Sequence, residues 1–443
     1  MKYRYRSDEE MKDSGVEWIG KIPKDWEVSK LKRISTIITG NTPSKNNENN
    51  YKNGYMQWIK PDNIMDNFTI TDSKEKLSGE GVKQARIIPK NSAIVCCIGT
   101  VGKLGINTEE CATNQQINSV IFNNKKIFNK FGIYSLIASR QEHEKNSNKV
   151  VVSILNKSQQ GNIEVALSNY EKQEKIAEFL DEKTSDFDNI ISKKEKLIEK
   201  LEEAKKSLIS ECVTGKVKVV KNGDDFEIVK REDSEMKDSG VEWIGKIPKD
   251  WEVKRIKYLF DIKKNIVGEL GYDVLSVTQS GIKIKDITKN GGQLSMDYSK
   301  YQIVEIDDFI MNHMDLLTGF VDCSKFKGVT SPDYRVFRLK GYNNCKEYYN
   351  YILQLCYYNR IFYSLARGVS GMGRWRLQTE TFKNFIVPMP KIEEQERIAK
   401  FILKKTNDID ILKNKLKINI EKLKEAKQAL ISEAVTGKIE VLD

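Results

Sequence analysis

Histidine is almost absent from this chain of 443 residues: His143 and His313 are its only two, far apart in sequence. That excludes a histidine-rich metal site and leaves each as a surface or packing residue. The seven cysteines (Cys96, Cys97, Cys111, Cys212, Cys323, Cys345 and Cys356) are odd in number and include no Cys-x-x-Cys pair. A disulfide scaffold and a cysteine zinc site are therefore both disfavoured, and reduced thiols in a cytoplasmic protein are expected. With only 8 prolines there is no room for long proline-rich linkers. No run approaches the ~18 apolar residues of a membrane span, and the charged opening MKYRYRSDEE lacks the apolar stretch of a signal peptide. The expectation is a soluble intracellular protein with no membrane partner.

What the chain has in excess is positive charge. Its 74 Lys and Arg against 63 Asp and Glu give a net charge of +11 and favour a polyanionic partner such as nucleic acid. It also has repetition. The 18 residues Met11–Val28 (MKDSGVEWIGKIPKDWEV) recur unchanged at Met236–Val253, and Lys200–Val219 matches Lys422–Val441 at 14 of 20 positions. The offsets are 225 and 222 residues, so the chain is one unit written twice, with inserts of little alignable likeness between the matched ends. A fixed frame with divergent inserts suits a protein whose two halves each read something different.

After each insert comes a long segment of helical chemistry, about 42 residues or about 63 Å of helix. Leu180, Phe187, Leu201 and Leu208 share one heptad register, with Lys194 in the gap, and Ile176, Ile190, Leu197 and Ala204 are read as the alternate row. In the second copy Ile402, Ile409, Leu416, Leu423 and Leu430 recur every seven residues, with Ile398, Leu412 and Ala426 alongside. This predicts a coiled-coil seam. A helix so long and so polar on its outer side needs a partner, and two like halves related by a two-fold would pair their helices antiparallel. Two independent helices, each packed on its own domain, are the alternative. Each helix ends at Thr-Gly-Lys, where glycine suits a C-terminal cap.

In the inserts, Ser92–Ile98, Ile117–Phe122, Ile303–Asn312 and Asp333–Leu339 read as strands, and Tyr348–Leu365 has helical spacing. The fold class is mixed α/β. The expected domains are 1–169, a first helix 170–216, a linker 217–235, a second domain 236–390 and a second helix 391–438.

Three enzyme-like matches fail on chemistry. Gly240–Ile247 (GVEWIGKI) puts Ile247 where a phosphate-binding loop needs a hydroxyl, and Gly15–Ile22 repeats the failure. Pro61-Asp62 with Asp72-Ser73-Lys74 mimics a nuclease motif in one half only, without a supporting strand pattern. No cofactor-binding glycine motif or Asn-Pro-Pro-Tyr tetrapeptide of a methyltransferase is present.

The repeated box SGVEWIGKIPKDWEV, the pre-helix boxes KQEKIAEFLDEKTSDFD (Lys172–Asp188) and EQERIAKFILKKTNDID (Glu394–Asp410), and the helix end LISExVTGK together resemble the specificity subunit of type I restriction–modification systems. IGTVGKLGI (Ile98–Ile106) with ATNQQINSV (Ala112–Val120), and the stretch Asp307–Phe337, look like that family's domain patterns. One departure stands out: Ala166 and Ser168 replace the prolines found at Pro388 and Pro390, which points either to a looser entry into the first helix or to a first domain from a different branch of the family.

The resemblance implies a non-catalytic subunit with two target recognition domains, each reading half of a bipartite, asymmetric DNA site. The helices would set the spacer and dock two methyltransferase subunits, and through them the endonuclease and translocase subunits. S-adenosylmethionine, ATP and magnesium would then belong to partners, with no metal or catalytic residue here. Phosphate contacts come from Lys and Arg, base contacts from Arg, Lys, Asn and Gln. The candidates for DNA binding are Lys60, Asn63, Lys83, Arg86, Lys103, Asn114, Gln115 and Gln116 in the first insert. In the second they are Lys325, Lys327, Arg335, Arg367, Arg374 and Arg376. The run Asn114–Gln116 has as its alternative a turn closing the next strand, and the loop Gly368–Arg376 has as its alternative a basic loop over a buried Trp375. Half-sites on one face of the duplex would lie about 10 bp apart. The rival from another class is a coiled-coil spacer carrying two protein-binding modules, which predicts salt-insensitive partner binding.

Overall fold

A computed structural model describes residues 1–149, 152–223, 225–286, 298–368 and 375–442. The chain divides into two compact units, Met1–Lys194 with Ile418–Asp443, and Glu195–Lys417. The identical boxes fold alike. Met11–Asp13 pairs antiparallel with Lys21–Pro23, and Met236–Asp238 with Lys246–Pro248. Gly240–Ile247 is therefore the tip and return of a hairpin, not a strand–loop–helix phosphate site. Each box drives a tryptophan, Trp26 or Trp251, into its core at 1% exposure. A second one clamps backbone: Trp18 Nε1 donates to Glu164 O at 3.1 Å, and Trp243 Nε1 to Ile386 O at 3.2 Å.

The inserts share a frame that their sequences conceal. In the first, an antiparallel sheet runs Ser35–Thr39, Ile117–Phe122, Ala93–Cys96, Leu104–Ile106. In the second the order is Phe260–Lys263, Arg335–Leu339, Phe309–Met311, Val321–Cys323. The central two strands of each sheet fall within the apolar runs expected to be strands. Ile303–Asn312, however, is split into Gln302–Val304 and Phe309–Met311, because Asp307 turns the chain at φ 71°. Tyr348–Leu365 likewise divides into Lys346–Tyr358 and Ile361–Ser364 at Arg360, φ 56°. Outside this frame the inserts diverge. The first builds another four-stranded sheet in the order Lys76–Leu77, Met56–Ile59, Cys111–Thr113, Ile87–Ile88, and the second has two-stranded ribbons such as Leu275–Thr278 with Gly281–Ile284.

The long helices are Tyr170–Val213 and Ile392–Val435, 44 residues each. The strand before the first, Glu164–Leu167, pairs with Glu27–Lys30; the strand before the second, Ile386–Met389, pairs with Glu252–Arg255. Ala166 opposes Val28 just as Pro388 opposes Val253. The missing prolines leave the register unchanged, and the ladder hydrogen bonds with the buried Val165 and Leu167 hold the strand. A buried glutamine then bolts each helix to its domain. Gln173 Oε1 accepts the Phe128 N–H and its Nε2 donates to Ser168 O, at 2.8 and 2.7 Å. Gln395 does the same with Cys345 and Pro390, at 2.9 and 2.8 Å.

Within each unit, segments of the two helices lie side by side and antiparallel. In the first unit Lys427 Nζ meets Asp188 at 2.7 Å. In the second, Lys205 Nζ meets Asp410 at 2.7 Å, and Lys413 is ion-paired with Glu202. Leu180, Ile402 and Leu416 are buried, and Phe187, Leu201, Leu208, Ile409, Leu423 and Leu430 are half-buried. Of the alternate row, Ile176 and Ile398 are buried as expected, at 4% and 0%, but its continuation differs. Ile190 and Leu197 are exposed at 44% and 43%, and Leu412 at 43%, while Thr184, Ile191, Thr406 and Ile420 are buried. The second row runs one residue further along than the expected one.

Each helix ends in the same cap, Lys216 N–H on Glu211 O at 2.9 Å and Lys438 N–H on Glu433 O at 2.8 Å. Both capping glycines, Gly215 and Gly437, sit at φ +75°. A Cβ on Gly215 would meet Pro248 at 2.4 Å, and one on Gly437 would meet Pro23 at 2.5 Å. The first helix thus ends on the second opening box, and the second helix ends on the first. Strand Tyr3–Tyr5 pairs with Ile439–Val441 in the register that Asp225–Lys230 makes with Val217–Asn222. Residues 217–235, expected as a linker, hold this ordered hairpin.

Candidate nucleic-acid interface

In the first unit the strand Ser35–Thr39 runs out into Gly40–Lys45, a loop fixed by side-chain hydrogen bonds. Asn41 Oδ1 accepts the Arg86 N–H at 2.9 Å, and its amide donates to Gln84 O at 2.7 Å. Trp58 Nε1 donates to Asn41 O at 3.2 Å, and Tyr51 Oη donates to Pro43 O at 2.6 Å. A Cβ on Gly40 would lie 2.3 Å from the backbone oxygens of Thr113 and Asn114, so only glycine fits there.

Several expected residues gather around this loop. Arg86 donates to Thr39 O at 2.7 Å and stays exposed. Gln115, also exposed, accepts from the Thr42 hydroxyl. Lys60 Nζ stands 4.5 Å from the Trp58 ring centroid, and Lys45 Nζ is 4.1 Å from the Tyr51 ring. Both lysines are ion-paired with Glu75, and these two ammonium groups, Lys45 first, hold its carboxyl below the usual range. Lys83 is exposed on the short helix Gly79–Gln84, close in sequence to Arg86.

Two other candidates serve turns of the fold, and a third is partly covered. Asn114 is 6% exposed; its Oδ1 accepts the Gln116 N–H at 3.1 Å and its amide donates to Gln116 Oε1 at 2.8 Å. The run is thus a turn leading into Ile117–Phe122, with Gln115 as its outward member. Asn63 closes its own turn by accepting the Lys60 N–H at 3.0 Å. Lys103 is half-buried just after Gly102. Asn41, Thr42 and Lys45 were missed by composition rules; the turn-forming run Gly-Asn-Thr-Pro after a strand was the available signal.

In the second unit Lys325 and Arg376 are exposed, and Lys327 pairs with Glu305 at 3.2 Å. Arg335 is a correction. It lies at 4% exposure, with its guanidinium 4.6 Å from the Phe382 ring centroid and donating to Leu377 O at 3.1 Å, so it is not offered to a duplex. Burial, with Arg376 nearby, lowers its pKa to about 10. His313 beside it is pushed down to about 3 by burial and by Arg335 and Arg376, and stays neutral. Trp375 is 37% exposed and stands against Tyr363 at 5.2 Å, so it is not the buried residue of the alternative reading. Arg374 and the Arg367 side chain lie outside the described residues.

The comparisons with known proteins bear on the family and the fold. The family described as the type I restriction modification DNA specificity domain matches residues 23–203 and again 248–422. The chain is 26% identical over 443 residues to the type I restriction enzyme MjaVIII specificity subunit of Methanocaldococcus jannaschii, covering 95% of this chain and 94% of that one. It is 27% identical to the putative MjaX specificity subunit of the same organism, covering 96% of each. A solved chain, described under the structural basis of complex assembly and conformational transition of the type I R-M system, superposes with a TM-score of 0.66. It shares 13% identity and covers 94% of this chain and 99% of its own length. Two matched copies, on a frame found twice in one fold, make this chain a member of the type I restriction–modification DNA specificity family.

Proposed function

We propose that this chain is the DNA sequence-recognition subunit of a type I restriction–modification complex, each insert reading one half of a bipartite, asymmetric site. The observation that carries this reading is the pair of like sheets, built between identical boxes, that present unlike loops. A fixed frame holds a reading head in place; a divergent loop changes what is read. In the first domain Arg86, Gln115, Thr42, Lys45 and Lys60 supply the donors and cations for base edges and phosphates. In the second, Lys325 and Arg376 are the described candidates.

The chain performs no chemistry of its own on this reading. Methyltransferase subunits dock on the long helices, the endonuclease assembles through them, and S-adenosylmethionine, ATP and magnesium are bound by those partners. The helices set the spacer between half-sites. The test is genome-wide mapping of modified adenines in cells expressing the chain with its methyltransferase. A split, asymmetric motif that disappears on deletion of this chain is the expected result. Methylation unaffected by the deletion would overturn the reading and favour a coiled-coil spacer protein, whose partner binding would also lack the steep salt dependence of DNA contact.

A further inference from the structure

Glu75 holds two lysines together on the surface of the first domain. Lys45 Nζ lies 2.5 Å from its Oε1, and Lys60 is paired with its Oε2, so each carboxylate oxygen takes one ammonium group. The site is stiffened from below. Trp58 is 2% exposed and anchored through its Nε1 to Asn41 O, and its ring lies 4.8 Å from Lys45 Nζ and 4.5 Å from Lys60 Nζ. Tyr51, fixed through its hydroxyl to Pro43 O, gives Lys45 a second ring at 4.1 Å. The upper side is open: the side chains of Lys45, Lys60 and Glu75 are 48%, 34% and 43% exposed. Two positive charges against one negative leave a net charge of +1 at a place prearranged to hold one oxyanion between two ammonium groups.

We propose that Lys45, Lys60 and Glu75 form a phosphate-exchange site, in which a DNA backbone phosphate takes the place of the Glu75 carboxylate between the two lysines. The inference rests on the DNA-recognition reading and goes beyond it by assigning a role to an acidic residue. A carboxylate and a phosphodiester present the same kind of acceptor to an ammonium group. Glu75 prevents the two lysines from repelling each other apart in the free protein. It also competes with every phosphate that arrives, whatever the base sequence, and so tempers non-specific binding. Glu75 is thus a positioning residue, acting through Lys45 and Lys60.

The test measures binding of the full chain to a mixed-sequence duplex by fluorescence anisotropy at several NaCl concentrations. E75Q is expected to tighten binding about 5- to 10-fold, since it removes the competing charge and keeps the shape. E75D, which restores the carboxylate, should return affinity to the wild-type value. K45A and K60A should each weaken binding and flatten the slope of log K against log salt by about 0.9. E110Q, at an exposed carboxylate with no ion pair to either lysine, is the control for net charge and should change affinity less than 2-fold. Unchanged or weaker binding by E75Q overturns the exchange site, as does an equal gain from E110Q. If the wild-type chain binds no duplex at all, it is the DNA-recognition reading that fails.

Discussion

Gln173 and Gln395 occupy one place in two halves whose inserts otherwise hardly align, and the reason is hydrogen-bond satisfaction. Each is 1% exposed and serves one backbone N–H and one backbone carbonyl. Q395A would strand the Cys345 N–H and the Pro390 carbonyl and should cost about 1–3 kcal/mol, read as a lower midpoint in urea for the second unit. The histidines give a pH prediction. Burial pushes His143 down to about 4, so it is neutral when folded and gains a proton more readily once unfolded. Its contribution is complete above the unfolded value of about 6.5 and is lost as pH falls toward 4. H143Q should therefore remove up to about 1.4 kcal/mol per pH unit of the acid-side decline in stability between pH 6 and 4, measured by urea unfolding. Individual reading residues were less legible than these structural ones. Nothing local distinguishes Arg335, in a strand with its charge stacked on Phe382, from Arg86 at a loop; only the fold assigns one inward and the other outward.

The seam of the long helices shows where periodicity stops being informative. Apolar rows three and four residues from Leu180 both satisfy a mean spacing of 3.5. The chain carries aliphatic residues in both, at Ile190 and Ile191 and again at Leu197 and Ile198. Only one row can face a neighbouring helix. In the second helix the buried row even carries Lys413 where the exposed row carries Leu412, because the ammonium of Lys413 finds Glu202 opposite. Ile191→Lys should therefore cost about 2 kcal/mol or more through an unpaired buried charge. Ile190→Lys should stay within about 0.5 kcal/mol. Thermal unfolding followed by circular dichroism compares the two directly; a larger loss from Ile190→Lys would place the seam on the other row, and equal losses would leave neither row as the seam. Helix existence, length and capping, by contrast, were plain from the sequence, since the Thr-Gly-Lys ends and the glycine-free runs leave little choice.

For the molecule, the duplication was readable in full and the likeness of the inserts was not. Identical boxes announce themselves, but the two sheets share strand order without shared residues, because a buried strand needs only apolar side chains of fitting size. The proposed spacer role makes a measurable statement at this scale. Adding one heptad to each helix preserves the seam and lengthens each by about 10.5 Å, at 1.5 Å per residue. The spacer of the methylated motif should then grow by roughly three base pairs, at about 3.4 Å each, with both half-site sequences retained. Methylome sequencing of the variant decides it; an unchanged spacer would remove the helices from that role.

The crossed docking of helix ends has a consequence for how such proteins can diversify. Gly215 closes against Pro248 and Trp251, and Gly437 against Pro23 and Trp26. Both sockets are letter-for-letter copies. A half taken from another gene with the same socket, the same plug and a matching helix seam would seat in the same way. On the proposed reading, new combinations of half-sites would then arise by shuffling intact halves, and a new target word would come without a new joint.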